Sequence, residues 1–129
     1  MRIAAAELNA RCEAIGGSFL ESVPAGGDIY LLKHVLHDWD DERAVQILRH
    51  TAQAMSSTSP LLVIQGVLNP ANGADRLLKL NDLVYSSTSG RVRTLSEFTE
   101  LFQLAGLRLD QVITTRIPDI TILVARRQR

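Results

Sequence analysis

The stretch LRLDQVITTRIPDITILVA, residues 107–125, contains two β-rich runs, 107–115 and 120–125, separated only by the four residues 116–119. A parallel pair of strands needs a crossover of a dozen residues or more, so these two must form an antiparallel hairpin. Upstream the pattern differs. DIYLLKHVL (28–36) is mostly apolar on both faces and LLVIQGVL (61–68) reads as a second buried strand, as strands inside a parallel sheet do. Between them Val45, Leu48, Ala52 and Met55 recur at spacings of three and four, one face of a helix that begins near Asp40 and ends at SSTSP (56–60). Strand, helix and strand in this order predict a parallel α/β sheet, and the hairpin predicts that it ends in one reversed strand.

The rest of the chain fits around that frame. Residues 3–9 read as the end of a helix, CEAI (12–15) as a short strand and SFLESVPAGG (18–27) as a loop. NPANG (69–73) is a turn, DRLLKLNDLVY (75–85) a helix and SSTSGR (86–91) a loop. Thr94 and Glu97 have the spacing of a capping box. Phe98, Leu101, Phe102 and Ala105 follow on one helical face, and Gly106 ends that helix at C′.

Bulk properties exclude several function classes. The 129 residues suit one domain, with 46% apolar and 22% charged side chains. Fourteen basic and fourteen acidic residues cancel, which leaves neither a nucleic-acid footprint nor an anionic-membrane patch, and RRQR at the end reads as solvated chain. Cys12 is the one cysteine, so neither an internal disulfide nor a cysteine zinc site is expected, and a reducing cytoplasm fits. The first residues carry Glu7 and Arg11 without an apolar h-region and do not read as a signal peptide; no apolar run approaches a membrane span.

The chemistry-bearing residues crowd one junction. In LLKHVLHDWDDERAVQIL (31–48), His34, His37, Asp38, Trp39, Asp40 and Asp41 stand where a strand hands over to a helix. Asp38 or Asp40 can cap the helix, Asp41 and Glu42 suit its positive end, and Trp39 can pack across its first turn. Those roles explain Asp40 and Asp41 without chemistry. His34 reads as a packing residue and His50 as helix surface. His37 by itself reads as a histidine at a helix start, solvated or bonded locally. A metal set of His34, His37, Asp38 and Asp41 is disfavoured, because positions straddling a strand end and a helix start need not converge; no metal is expected.

With its neighbours, that junction resembles a known family. GGSFLESVPAGGDIYLLKHVLHDWDDERAVQILR (16–49), LLVIQGVL, SGRVRTLSEFTELFQLAGL (89–107) and the closing hairpin are similar, in order and spacing, to the second half of the catalytic domain of plant-type and bacterial small-molecule O-methyltransferases, the caffeic acid and hydroxyindole O-methyltransferase family. The similarity runs from about residue 12 to 125, and LKHVLHDWDDE is its most specific part. The resemblance implies an α/β fold: a truncated, Rossmann-like class I methyltransferase sandwich, mostly parallel, ending in an antiparallel hairpin and lacking the first two strands. Residues 1–129 would be a partial catalytic domain without the N-terminal dimerisation region or the glycine-rich cofactor loop. The implied reaction carries methyl from S-adenosylmethionine to a hydroxyl of a small aromatic or polyketide-like molecule. His37 would be the general base, an imidazole of ordinary pKa about 6.5 contributing about 10²–10⁴-fold. Ser18, Phe19 and Lys33 would contact the cofactor, and Asp38, Leu83 and Ser87 the substrate.

Three positions depart from the family pattern. Ser18, Gln65 and Val92 stand where the family carries an aspartate and two glutamates. Gln65 can accept a hydrogen bond from an imidazole N–H but cannot neutralise an imidazolium, and Val92 can do neither. These losses favour an alternative, a non-catalytic remnant acting as an interaction or binding module; weak or no turnover is expected of the isolated chain. A nicotinamide-binding Rossmann domain fails on the missing glycine-rich turn and the closing hairpin. With the first two strands absent, 28–36 becomes an apolar edge. It is expected to pair with a second copy or an upstream half, to take 12–15 onto itself, or to leave the fold marginal.

Overall fold

The coordinates are a computed structural model and describe residues 6–68 and 90–128. Their sheet has four strands: β1 (Tyr30–Lys33), β2 (Leu61–Gln65), β3 (Leu107–Thr114) and β4 (Thr121–Arg127), in the spatial order β1-β2-β4-β3. β1 and β2 are parallel, Tyr30 facing Leu61 and Lys33 facing Ile64. β4 runs against both β2 and β3. The short connection at 116–119 therefore makes the hairpin its length demands. Asp110 sits in the register shift of β3, its carboxyl held below the usual range by hydrogen bonds from Arg108 and Arg126.

Two helices cover one face of this sheet. α1 (Asp41–Ala54) is capped by Asp40, whose side chain accepts from the Arg43 N–H. α2 (Leu95–Leu104) starts in the expected Thr94–Glu97 capping box, and Gly106 follows it at φ +80°. Leu48 and Met55 of the α1 stripe meet Phe98, Leu101 and Phe102 of α2 over Leu61, Val63, Leu107, Leu123 and Ala125. Alternation along β2 puts Leu61, Val63 and Gln65 on this covered face, all buried.

Several expectations are corrected. The strand expected at 28–36 holds only Tyr30–Lys33. His34 takes a left-handed backbone, φ +55°, and ends it; Leu36–Asp38 then closes into a 3-10 turn anchored by the fully buried Leu36. Apolarity on both faces does not mean burial on both, since Ile29 and Leu31 are 58% and 61% exposed. Residues 12–15 form no strand and do not move onto the β1 edge, which pairs only with β2 among the described residues. Of the helix end expected at 3–9, the described residues 6–9 form no helix: 6, 7 and 9 lie in turns. The run 61–68 leaves the ladder after Gln65. The turn 69–73 and the helix 75–85 fall outside the described residues, as do Leu83 and Ser87.

Candidate active site

Because β1 and β2 are parallel, their carboxyl ends share one rim, where open α/β sheets bind ligands. The His34 N–H still donates to the Ile64 carbonyl, at 3.0 Å, before the backbone turns left-handed. A non-glycine residue held there stores roughly 1–3 kcal/mol of strain. The turn that follows stacks the His34 and His37 imidazoles, with centroids 5.6 Å apart and planes 27° apart. His34 is thus a packing residue, as expected, but it packs as an exposed stacking partner of His37.

The His37 side chain is 14% exposed, and its Nε2 lies 3.5 Å from Oδ1 of Asp38, whose side chain is 57% exposed. Burial lowers the His37 pKa below its ordinary value. The Asp38 carboxylate opposes that shift, and His34 and Arg93 add to it. The neutral imidazole, the form that can accept a proton, is therefore favoured at pH 7.

A second segment, 90–93, grips the same turn. The Arg91 N–H donates to the His37 carbonyl at 2.9 Å, and the Leu68 N–H donates to the Arg93 carbonyl at 2.8 Å. Gly90 lies so close that a Cβ there would stand 2.1 Å from the His37 carbonyl oxygen. Arg91 pairs with Glu97, and its Nη1 lies 3.7 Å from Asp41 Oδ2. The Arg93 side chain is wholly buried and ion-paired to Asp41 at 2.9 Å. Sequence reasoning gave Asp41 no role beyond the helix start and Arg93 none at all. Their partners lie 52 residues apart, beyond any local signal.

The other expected site residues are distributed as follows. Ser18 and Phe19 line a cavity of about 380 Å³ together with Ile15, Tyr30, Leu31 and Leu32, among others. The Ser18 Oγ accepts from the Leu20 N–H, and Phe19 meets Trp39 edge-on at 5.9 Å, which ties this loop to the His37 turn. Lys33 is exposed at the end of β1. Neither Lys33 nor His37 lines that cavity. Gln65 is buried with its Oε1 unpaired, and Val92 is buried. Among the described residues no three His, Cys, Asp or Glu side chains are grouped to hold a metal, and no helix is long and apolar enough to cross a membrane.

A parallel β1–β2 pair, a reversed strand inserted beside it and helices packed over one face are the C-terminal part of the class I methyltransferase fold. The chain matches the O-methyltransferase domain family over residues 2–108, and it belongs to that family. It is 40% identical over 117 residues to the mitomycin biosynthesis 6-O-methyltransferase of Streptomyces lavendulae, covering 91% of this chain and 33% of that protein. It is 40% identical over 118 residues to the phenazine O-methyltransferase PhzM of Lysobacter antibioticus, covering 88% and 33%. Among solved structures, LaPhzM superposes with a TM-score of 0.90 at 37% identity, over 98% of this chain and 38% of that one. An O-methyltransferase from neocarzinostatin biosynthesis, in complex with S-adenosylmethionine and 2-hydroxy-5-methyl naphthoic acid, superposes with a TM-score of 0.83 at 35% identity, over 98% and 36%. The chain thus spans about one third of the length of the curated relatives it matches.

Proposed function

We propose that the protein bearing this chain methylates a hydroxyl of a small aromatic or polyketide-like molecule with S-adenosylmethionine, and that His37 is the general base. The observation that carries the reading is a largely buried imidazole, biased to its neutral form, at the carboxyl rim of the sheet. The neocarzinostatin relative, crystallised with a methyl donor and a hydroxynaphthoic acid, supports the substrate class.

The residues fit the donor. The cavity beside Ser18 and Phe19 has aromatic and aliphatic walls of a size suited to a flat heterocycle, and Lys33 is a cation at the neighbouring strand end. When bound, S-adenosylmethionine supplies an electrophilic methyl on a sulfonium. The chain's own part is proton and position. The imidazole takes the hydroxyl proton as the oxygen electron pair forms the new O–C bond and the C–S pair returns to sulfur. Asp38 steadies the resulting imidazolium from the solvent side. Leu83 and Ser87, outside the described residues, are proposed to line the acceptor pocket with Asp38.

Methyl-ether formation from hydroxynaphthoates and catechols, followed by mass spectrometry, tests the reading. His37→Ala is expected to slow turnover by about 10²–10⁴-fold with donor affinity retained. A His37→Ala protein as fast as the parent would refute the assignment. Buried Val92 and the uncharged Gln65 favour a second reading, a non-catalytic binding module. Calorimetric binding of S-adenosylmethionine without turnover of any hydroxyl would select it.

A further inference from the structure

Leu36–Trp39 is the turn that carries His37, and three of its carbonyls are held by segment 91–93. Arg93 Nη1 donates to the Leu36 carbonyl at 2.9 Å, the Arg91 N–H to His37 at 2.9 Å, and Arg93 Nη2 to Trp39 at 2.8 Å. The guanidinium so bridges the first and last residues of the turn. Its Nε donates to Asp41 Oδ1 at 2.9 Å, and Nη2 reaches the same oxygen at 2.9 Å. Every nitrogen of the fork has a partner, on a side chain with no solvent exposure.

Burying a cation is costly, and an apolar side chain would fill the same space more cheaply. A planar fork does what no apolar residue can: it fixes the distance and angle between acceptors that belong to no regular ladder. The acid that neutralises it is the first residue of α1, so the turn is locked to the helix that follows it.

We infer that Arg93, with Asp41 as its counter-ion, is a positioning residue for His37: the guanidinium sets the height and tilt of the imidazole above the sheet rim. The inference deepens the proposed function and rests on His37 being the base. The pair touches no reacting atom; it acts through the backbone of the turn. Lysine cannot replace it, because a point charge cannot span Leu36, Trp39 and Asp41 together.

The test uses the full chain and two variants, with His37 followed by ring ¹⁵N NMR and the turn by amide exchange. Arg93→Lys keeps the charge and loses the fork. The His37 titration midpoint is expected to rise toward its ordinary value as the ring is released to water, and the ring-to-ring cross-peak between His34 and His37 to fade. Asp41→Asn alters an exposed carboxylate, so it decides the case should Arg93→Lys fail to fold. Exchange at the Asp38 and Trp39 amides, which bond Val35 and Leu36, is expected to quicken about tenfold while the α2 core amides hold their rates. A merely structural staple would raise exchange everywhere in parallel. Unchanged His37 signals in folded Arg93→Lys, or uniform exchange in Asp41→Asn, would overturn the inference. In an actively methylating protein, Asp41→Asn is expected to lower kcat with KM for the donor unchanged. Absence of methylation in the parent would count against the proposed function alone, since the NMR readouts need no turnover.

Discussion

Replacing Gly90 with alanine tests how tightly the His37 turn is packed against the segment beside it. The added Cβ would stand 2.1 Å from the His37 carbonyl oxygen, 3.0 Å from Asp38 Cα and 3.1 Å from Asp38 C. All three are backbone atoms, with no flexible end to swing aside. Carbon and carbonyl oxygen rest no closer than about 3.3 Å even in weak hydrogen bonds, so the two segments must part by roughly 1 Å. Overpacking of that kind costs about 1–3 kcal/mol. Separation also stretches the Arg91 N–H bond to His37, 2.9 Å in the parent, whose loss adds about 1 kcal/mol. The expected destabilisation is therefore about 2–4 kcal/mol, a large part of the stability of any small domain. In urea the midpoint should fall by roughly 1–2 M. In an active protein the displaced imidazole should slow methyl transfer on the order of 10²-fold. Gly16→Ala is the control, since its Cβ meets nothing within 4 Å, and it should shift stability by less than about 1 kcal/mol. A Gly90→Ala protein within about 0.5 kcal/mol of the parent, with His37 ring signals unmoved, would show that the two segments are not in this contact.

Two further outcomes follow from the site. The His37 pKa lies lower in the folded chain than in the unfolded one, so the unfolded chain binds the extra proton as pH falls. Its contribution to stability is complete above about pH 6.5 and is lost below that value, down to the lower folded pKa. Urea melts between pH 7.5 and 5 should therefore weaken more steeply for the parent than for His37→Gln, and equal slopes would contradict a depressed pKa. Gln65 buries an unpaired carbonyl oxygen, which costs about 1–3 kcal/mol. Gln65→Met is near in shape and should raise stability by about 1 kcal/mol; a comparable loss would mean that the oxygen has a partner in solution.

What was legible in the sequence was local. The hairpin followed from a connection too short for any other pairing, and the starts of α1 and α2 from Asp40 and from Thr94 with Glu97, each a signal contained within four residues. The end of β1 was not legible. Residues 28–36 are mostly apolar and β-rich, while the strand stops at Lys33 because the backbone of His34 turns left-handed and Leu36 drops into the core. CEAI (12–15) read as a short strand, yet no described strand lies beside it and Ile15 is 61% exposed. Asp41 read as a helix-dipole residue because its partners, Arg91 and Arg93, are distant in sequence. Charges that pair across the fold leave no periodic trace.

The three departures from the family pattern acquire distinct physical meanings once placed. Ser18 keeps a polar atom at a cavity wall, where its hydroxyl accepts from Leu20. Gln65 and Val92 are buried, so neither position puts a charge into the interior. Asp38 lies 3.5 Å from the His37 ring and is more than half exposed, and solvent weakens a carboxylate's hold on an imidazolium. Arg93 and burial act in the opposite sense. On the proposed reading this makes His37 a base that is neutral at pH 7 and weaker than an ordinary imidazole. General-base catalysis is most effective when the pKa of the base lies near the operating pH. On that reading the neutral ring is available at pH 7 to take the proton of an acceptor hydroxyl.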